Sequence, residues 1–257
     1  MSTKILIVGS GGREHAIGWK FAEDFKRKQE KVDLFFVPGN AGTAKLGENI
    51  ALNSITEMKD FALENKIDLT FVGPEAELAE GIVDLFQANH LPIFGPHREA
   101  AKLESSKAFA KDFMHKYGVK TAEYKVFQGP MLAIEYLEKA SFPIVIKASG
   151  LAAGKGVIIC QDFDQAKKAV LEIMEDKTFG DAGNEVVIEE YLEGFEASIL
   201  SFFNGKTIIP FISAKDHKKI GEGETGLNTG GMGAIAPNPL FTEAHYLSLI
   251  HISEPTR

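Results

Sequence analysis

Cysteine is nearly absent: Cys160 stands alone in 257 residues. One thiol excludes an intramolecular disulfide and a multi-cysteine metal site, and it fits a reducing compartment. Cys160 closes an apolar run, so a buried, inert thiol is expected. Long apolar runs are missing too. No stretch approaches the roughly 20 residues a helix needs to cross a bilayer, and MSTKILIVGSGG passes straight into a strand and turn without a signal-peptide pattern. A cytoplasmic location is expected, with no membrane partner. Positive charge is in deficit. The net charge of −8 argues against a nucleic-acid partner but leaves room for a local positive pocket. The seven histidines form no HExxH pattern, no Ser/His/Asp nucleophile signature is present, and no internal repeat occurs.

What is present is enough apolar residue, 44%, for a real core, and a length that allows one large domain or two ordinary ones. The chain is organised around PIVIKASGLAAGKGVIIC, from Pro143 to Cys160. It reads as strand, glycine-rich loop, strand. Small residues let backbone N–H groups approach an anion closely. Lys147 and Lys155 bracket most of the loop. The stretch is either a flap over a polyphosphate or a tight hairpin with surface lysines. It is not a Walker A loop, because no Ser or Thr follows Lys155 and a strand follows instead of a helix.

Lys4–Val8 is a continuous apolar strand, as in a parallel sheet covered on both faces. Gly9, Ser10, Gly11 and Gly12 follow, with a helix from about Arg13, where a phosphate could rest. The dinucleotide fingerprint is incomplete. Glu14 holds the place of its third glycine, and the next strand, Val32–Val37, ends in Pro38, Gly39 and Asn40 instead of an acid for a ribose. Ser54 and Glu57 form a capping box for a helix to about Asn65. Asp68–Val72 is a strand ending in Gly73, Pro74 and Glu75, a helix spans about Ala76 to Asn89, and Pro92–Phe94 is a short strand. Residues 1 to about 100 therefore read as an open parallel βαβ domain whose strand-end loops face one crevice. Asn40 and Glu75 are its polar candidates, though such residues also favour ordinary turns.

Ser105 and Ser106 cap a helix to about Tyr117. Lys107 lies in its first turn, where the helix dipole disfavours a cation, so either an anion or solvent meets it. A strand over Glu123–Phe127 and helices over Met131–Lys139 and from Asp162 to about Asp176 surround the glycine-rich stretch. Glu185–Leu192 is a strand running into two acids and an aromatic. Alternation means Glu189 and Glu190 face opposite ways. Asn204 and Gly205 turn a hairpin between Glu196–Phe203 and Thr207–Ile212. The polar, glycine-rich stretch Ser213–Gly233 has no periodicity and reads as a long loop, functional or disordered. Lysines on separate elements, a flap and an acid-aromatic strand end suit a nucleotide clamped between two small β-rich parts.

Seven segments in order give this pattern a resemblance: GSGGREHA (Gly9–Ala16), PGNAGTA (Pro38–Ala44), VGPEAEL (Val72–Leu78), SSKAFAK (Ser105–Lys111), IKASGLAAGKGV (Ile146–Val157), VIEEYLEGFEAS (Val187–Ser198) and KDHKKIGEGETGLNTGGMGA (Lys215–Ala234). From about Lys4 to Thr242 the chain resembles the ATP-grasp ligases, and within them the phosphoribosylamine–glycine ligase (glycinamide ribonucleotide synthetase) family of purine biosynthesis. The resemblance implies an α/β and α+β chain. An open parallel, Rossmann-like pre-ATP-grasp domain covers residues 1–103. An incomplete ATP-grasp region covers 104–246, with a lid at about 122–192, and 247–257 is a tail unlike the family. It implies ligation of glycine to 5-phosphoribosylamine through glycyl phosphate, with ATP consumed, by a monomer.

By position, Lys107, Lys147, Gly150, Gly154, Lys155 and Gly156 correspond to ATP-phosphate ligands and flap. Glu189, Glu190, Tyr191 and Leu192 correspond to the adenine-contacting strand end, and Glu196 to the ribose acceptor. Asp216, Asn228, Thr229, Gly230, Gly231 and Met232 fall on the glycine and phosphoribosylamine side. Gly11, Gly12, Arg13, Asn40 and Glu75 face phosphoribosylamine from the first domain. No side-chain nucleophile is implied. Ser149, Phe195 and Glu77 depart from frequent family residues (Asp, an acid and Pro). Ligands for Mg²⁺ or Mn²⁺ are expected beyond residue 257, so the chain is expected to be a truncated, inactive fragment. The competing readings are another ATP-grasp carboxylate–amine ligase, a non-catalytic nucleotide-binding fragment, and a dinucleotide-dependent oxidoreductase.

Overall fold

A computed structural model describes residues 2–152, 155–223 and 225–247. The chain divides into two compact units, Met1–Val119 and Lys120–Arg257. In the first, β1 (Thr3–Gly9), α1 (Gly12–Arg27), β2 (Val32–Pro38), β3 (Glu48–Asn49), α2 (Ile55–Asn65) and β4 (Leu69–Val72) are followed by α3 (Glu75–Glu80), α4 (Ile82–Ala88), β5 (Ile93–Phe94), α5 (Arg98–Ser105) and α6 (Lys107–Lys116). All strand pairs are parallel, in the order β3-β2-β1-β4-β5. The chain builds outward from β1 through β2 to β3, then returns to the other side of β1 for β4 and β5. The direction of winding therefore reverses between β1 and β4, and the carboxyl ends of these strands flank the crevice where open α/β sheets take ligands.

The continuous apolar character of β1 has its expected cause. Leu6 and Val8 pack with Met58, Ala62, Ile82 and Phe86 on one face, and Ile5 and Ile7 pack with Leu34, Phe36, Ile17 and Phe21 on the other. Phe36 and Phe86 are fully buried, each contributing about 1.5–3 kcal/mol of transfer free energy. The Ser54 hydroxyl accepts the Glu57 N–H at 3.2 Å. The Glu57 carboxylate reaches one residue past the cap, accepting from the Asn53 N–H at 2.7 Å. The helix expected over Ala76–Asn89 is instead two. Gly81, at φ +101°, closes α3 and opens α4, a conformation that favours glycine. The sequence reading also omitted α5. It packs against α6, and both lie in the first compact unit.

The second unit carries β6 (Tyr124–Phe127), α7 (Pro130–Leu137), β7 (Ile144–Ala148), β8 (Val157–Cys160), α8 (Phe163–Met174) and β9 (Val186–Glu190). Its antiparallel sheet has the order β6-β9-β7-β8. Ile144, Ile146, Ala148, Val186 and Ile188 turn one face to Ala166, Val170 and Ile173 of α8 and to Ala133 and Leu137 of α7. The Asp162 carboxylate caps α8 by accepting the Gln165 N–H at 2.9 Å. β10 (Ser201–Phe203) and β11 (Ile208–Pro210) pair around the Asn204–Gly205 turn as expected. The stretch read as a long loop, Ser213–Gly233, is instead mostly a hairpin of β12 (Lys215–Gly221) and β13 (Thr225–Ile235). Its strands carry polar residues and glycines on both faces, so no alternation marks them, and irregularities at His217/Lys219 and Lys219/Gly221 break the register. Residues 243–247 form a short helical turn; the tail beyond Leu247 lies outside the described residues.

Candidate functional site

The glycine-rich stretch is fixed at both ends. The Ala148 N–H donates to the Gly156 carbonyl at 2.8 Å, the Ser149 N–H to the Glu185 carbonyl at 3.0 Å, and the Gly150 N–H to the Ala182 carbonyl at 3.1 Å. A Cβ on Gly150 would lie 2.7 Å from the Ala182 Cα, so only glycine allows this close approach. The Lys155 N–H donates to the Ala152 carbonyl at 2.9 Å, and its side chain is exposed. Gly154, counted among the flap residues, lies outside the described residues.

Lys147 and Glu189 share the sheet face opposite the α7–α8 core. Lys147 pairs in register with Val187 and Val145 with Glu189, so the two charged residues sit two positions apart diagonally. The Lys147 ammonium lies 2.9 Å from the Glu189 carboxylate, which is nearly buried. Glu190 faces the other way, exposed, with its carboxylate accepting the Glu123 N–H at 3.0 Å. Tyr191 and Leu192 continue the strand end with exposed side chains.

A second cluster joins residues drawn from two motifs. The Lys218 ammonium lies 3.2 Å from a Glu196 carboxylate oxygen and 4.0 Å from one of Asp216. Asp216 and Lys218 are two apart on β12, with Lys218 at the irregularity between His217 and Lys219. The Thr229 hydroxyl donates to the Lys218 carbonyl at 2.9 Å and accepts the Gly231 N–H at 3.0 Å. Gly231 takes φ +122°, and a Cβ there would lie 3.0 Å from the Asp216 carboxylate. Asn228 stands opposite Lys219; Gly230 and Met232 are exposed. Behind the cluster, the buried Asn238 amide donates to the Glu196 carbonyl at 2.9 Å, while its backbone N–H donates to Ser213. Lys218 and Asn238 were not singled out from sequence. Reading Lys215–Gly221 as a strand would have paired Lys218 with Asp216.

In the first unit, Gly11, Gly12 and Arg13 open α1 beside the winding reversal. Glu14 is buried there. Its carboxylate accepts the Gly11 N–H at 2.7 Å and the Arg13 Nε–H at 2.9 Å. Asn40 is committed to loop structure. Its amide donates to the Ser10 carbonyl at 2.8 Å, and its Oδ1 accepts the Gly42 and Thr43 N–H groups at 2.7 and 3.0 Å. The turn chemistry weighed for Asn40 thus accounts for its side chain. Glu75 is the first residue of α3, half-buried. Lys107 is the first residue of α6, whose cap is the Ser106 hydroxyl accepting the Phe109 N–H at 3.2 Å.

Two family models cover nearly the whole chain: "Phosphoribosylglycinamide synthetase, N domain" matches residues 3–104, and "Phosphoribosylglycinamide synthetase, ATP-grasp (A) domain" matches residues 105–256. The chain belongs to this family. A phosphoribosylamine–glycine ligase of Fusobacterium nucleatum is 58% identical over 243 residues, covering 93% of this chain and 56% of the relative. One of Clostridium acetobutylicum is 56% identical over 242 residues, with 93% and 57% covered. The chain thus spans a little over half the length of these relatives. Among solved structures, a phosphoribosylamine–glycine ligase from Thermotoga maritima superposes with a TM-score of 0.75 at 35% identity, over 90% of this chain and 55% of that one. The N5-carboxyaminoimidazole ribonucleotide synthetase of Thermus thermophilus, at 18% identity and TM-score 0.65 over 96% and 62%, shares the fold.

For this phosphoribosylglycinamide synthetase family member, the Lys147–Glu189 and Glu196–Lys218–Asp216 groupings both fall in the ATP-grasp domain match. The Gly11–Glu14 and Asn40 loops fall in the N domain match. Among the described residues, no group of three or more His, Cys, Asp or Glu side chains is placed to hold a metal ion. No step below passes through a metal. No helix among them is long and apolar enough to cross a membrane.

Proposed function

We propose that the chain serves the ATP-dependent ligation of glycine to 5-phosphoribosylamine, with the second unit holding ATP. The observation that carries this reading is the Lys147–Glu189 pair beside the pinned ends of the glycine-rich loop. A carboxylate of glycine attacks the γ-phosphorus of ATP, the bond to the β-phosphate oxygen breaks, and ADP leaves. The phosphoribosylamine nitrogen attacks the carbonyl carbon of glycyl phosphate. Phosphate leaves with the bonding pair, and the nitrogen loses a proton. Neither step needs a side-chain nucleophile. The chain's task is positioning, charge neutralisation and exclusion of water from the acyl phosphate.

In this reading Lys147 and Lys155 neutralise ATP phosphates, with Gly150–Gly156 as the flap. Glu189, Glu190, Tyr191 and Leu192 border adenine, and Glu196 accepts from ribose hydroxyls. Asp216 offers a carboxylate to the glycine ammonium. Lys218 offers an ammonium to an anionic substrate group, which makes the Asp216–Lys218 pair a match for a zwitterion. Asn228–Met232 border that side, and Gly11–Arg13 and Glu75 face phosphoribosylamine. The reaction is one of purine biosynthesis, carried out in the cytoplasm.

The test has two arms. ATP should raise the melting temperature of the chain, and Lys147→Ala should abolish that rise. ADP release dependent on both glycine and phosphoribosylamine should follow if the residues present suffice for turnover. An unchanged melting temperature at millimolar ATP would defeat the nucleotide-binding reading.

A further inference from the structure

Lys177 takes a backbone conformation that disfavours a side chain. The chain leaves α8 through it at φ +51°, in the left-handed region where glycine is the usual residue. The next residue turns the chain back: the Thr178 N–H and hydroxyl both donate to the Glu172 carbonyl, at 3.2 and 2.9 Å. What Lys177 adds, and glycine would not, is its ammonium. That group donates to the Asn184 Oδ1 at 2.6 Å and to the Gly183 carbonyl at 3.5 Å. It ties the start of the segment to its end, across the 3₁₀ turn Gly180–Asn184. Strain of this kind persists where the surrounding contacts over-determine it.

The turn is wedged between α8 and the glycine-rich loop. On one side Gly183 is buried, and a Cβ there would lie 2.2 Å from the Ile173 carbonyl oxygen. On the other side Ala182 stands against Gly150, with no room for a Cβ between them. The Phe179 side chain packs on the α7–α8 core and seats the turn from below. The bond that joins turn to loop runs from the Gly150 N–H to the Ala182 carbonyl, at 3.1 Å. Ser149, one residue earlier, is held differently. Its N–H donates to the Glu185 carbonyl at 3.0 Å, which prolongs the pairing of β7 with β9. The sheet thus fixes Ser149, and the turn fixes Gly150. The turn therefore sets where the loop departs from the sheet, three residues after Lys147.

We propose that Lys177 is a positioning residue for nucleotide binding. Its ammonium holds the turn closed, the turn holds the Ala182 carbonyl at the Gly150 N–H, and that bond aims the glycine-rich loop as it leaves the sheet. Lys177 does not touch the nucleotide; it acts through Gly150. The inference rests on the reading that this loop and Lys147 meet ATP phosphates. It adds a residue outside the loop that sets the loop's course.

ATP is titrated into the full chain by calorimetry, and amide exchange at Ser149 and Gly150 is followed by NMR without nucleotide. Lys177→Gly removes the ammonium and suits the left-handed backbone, so the chain should fold with a nearly unchanged melting temperature. In that variant Gly150 exchange should quicken while Ser149 exchange stays as in the wild type. ATP binding should weaken several-fold, about the worth of one hydrogen bond. Lys177→Arg keeps a cationic donor and should bind ATP as the wild type does. Asn184→Ala removes the acceptor at the other end and should reproduce both effects. Combined with Lys177→Gly it should add nothing, because the two residues share one contact. A merely structural lysine would move the melting temperature and leave the contrast between Ser149 and Gly150 alone. Unchanged ATP affinity in folded Lys177→Gly or Asn184→Ala, equal quickening at Ser149 and Gly150, or additive losses in the double variant would overturn the inference and leave the ATP reading standing. No binding of ATP by the wild-type chain would overturn both.

Discussion

The Lys147 ammonium and the Glu189 carboxylate meet at 2.9 Å across the two central strands of the second unit's sheet, with Glu189 5% exposed and Lys147 26%. Removing either one takes an opposite charge from the other at the edge of an apolar layer. Glu189→Ala should therefore destabilise the unit by about 2–3 kcal/mol, below the full cost of breaking a buried pair because Lys147 keeps some water. Lys147→Met, which removes the cation and leaves the more deeply buried Glu189 carboxylate without it, should cost more. Urea unfolding of both variants checks the order. Equal losses would mean that packing, not charge, sets the cost.

Lys218 and Asn238 both bind Glu196, one at its carboxylate and the other at its carbonyl, and should behave oppositely. Lys218 is 48% exposed and its partner Glu196 38%, so their ion pair contributes at most about 1 kcal/mol. Asn238 is 1% exposed. Its amide donates to the Glu196 carbonyl, and its Oδ1 accepts the Leu240 N–H at 3.0 Å. Asn238→Ala should cost about 2–4 kcal/mol by orphaning buried groups, whereas Lys218→Ala should leave the melting temperature nearly unchanged. Thermal denaturation separates the two.

Legibility from sequence followed burial. β1 and β9 were legible because both of their faces are covered and their apolar residues run on. The caps at Ser54, Ser106 and Asp162 were legible because capping is local. The β12–β13 hairpin was not, because glycines and charges on both faces erase the period-two signal. The break at Gly81 was hidden because the apolar period continues through it while the backbone does not. Of the candidate site, the opposed directions of Glu189 and Glu190 followed from alternation. Glu14 was visible only as a misfit, since its burial depends on Gly73, 59 positions away in sequence but adjacent across β1 and β4.

The β10–β11 ribbon and its surroundings leave large apolar side chains in water: Leu192, Phe203, Ile209 and Ile212 are each more than half exposed. Three of them fall between Leu200 and Ile212, on and beside a two-stranded ribbon that cannot cover them. The folded chain should bind a hydrophobic dye such as ANS. Phe203→Ser with Ile209→Thr should reduce that fluorescence without lowering the melting temperature. Dye binding unchanged by the pair would place the apolar surface elsewhere.

Cys160 ends β8 fully buried against the α7–α8 core, and burial, with a smaller contribution from the nearby Asp162 carboxylate, pushes its thiol up to about 11 from 9.0. The fold therefore holds the proton more tightly than the unfolded chain does. The resulting stabilisation is fully present below pH 9, and it is lost as pH rises from there through 11. Because the thiolate is the nucleophile, alkylation by iodoacetamide at pH 8 should be negligible in the folded chain and rapid in urea. Cys160→Ala should flatten the part of the stability profile between pH 9 and 11. It should also lower stability at pH 7 by about 1–2 kcal/mol, since a small cavity replaces the sulfur. Ready alkylation of the native protein would show that β8 opens locally, without global unfolding.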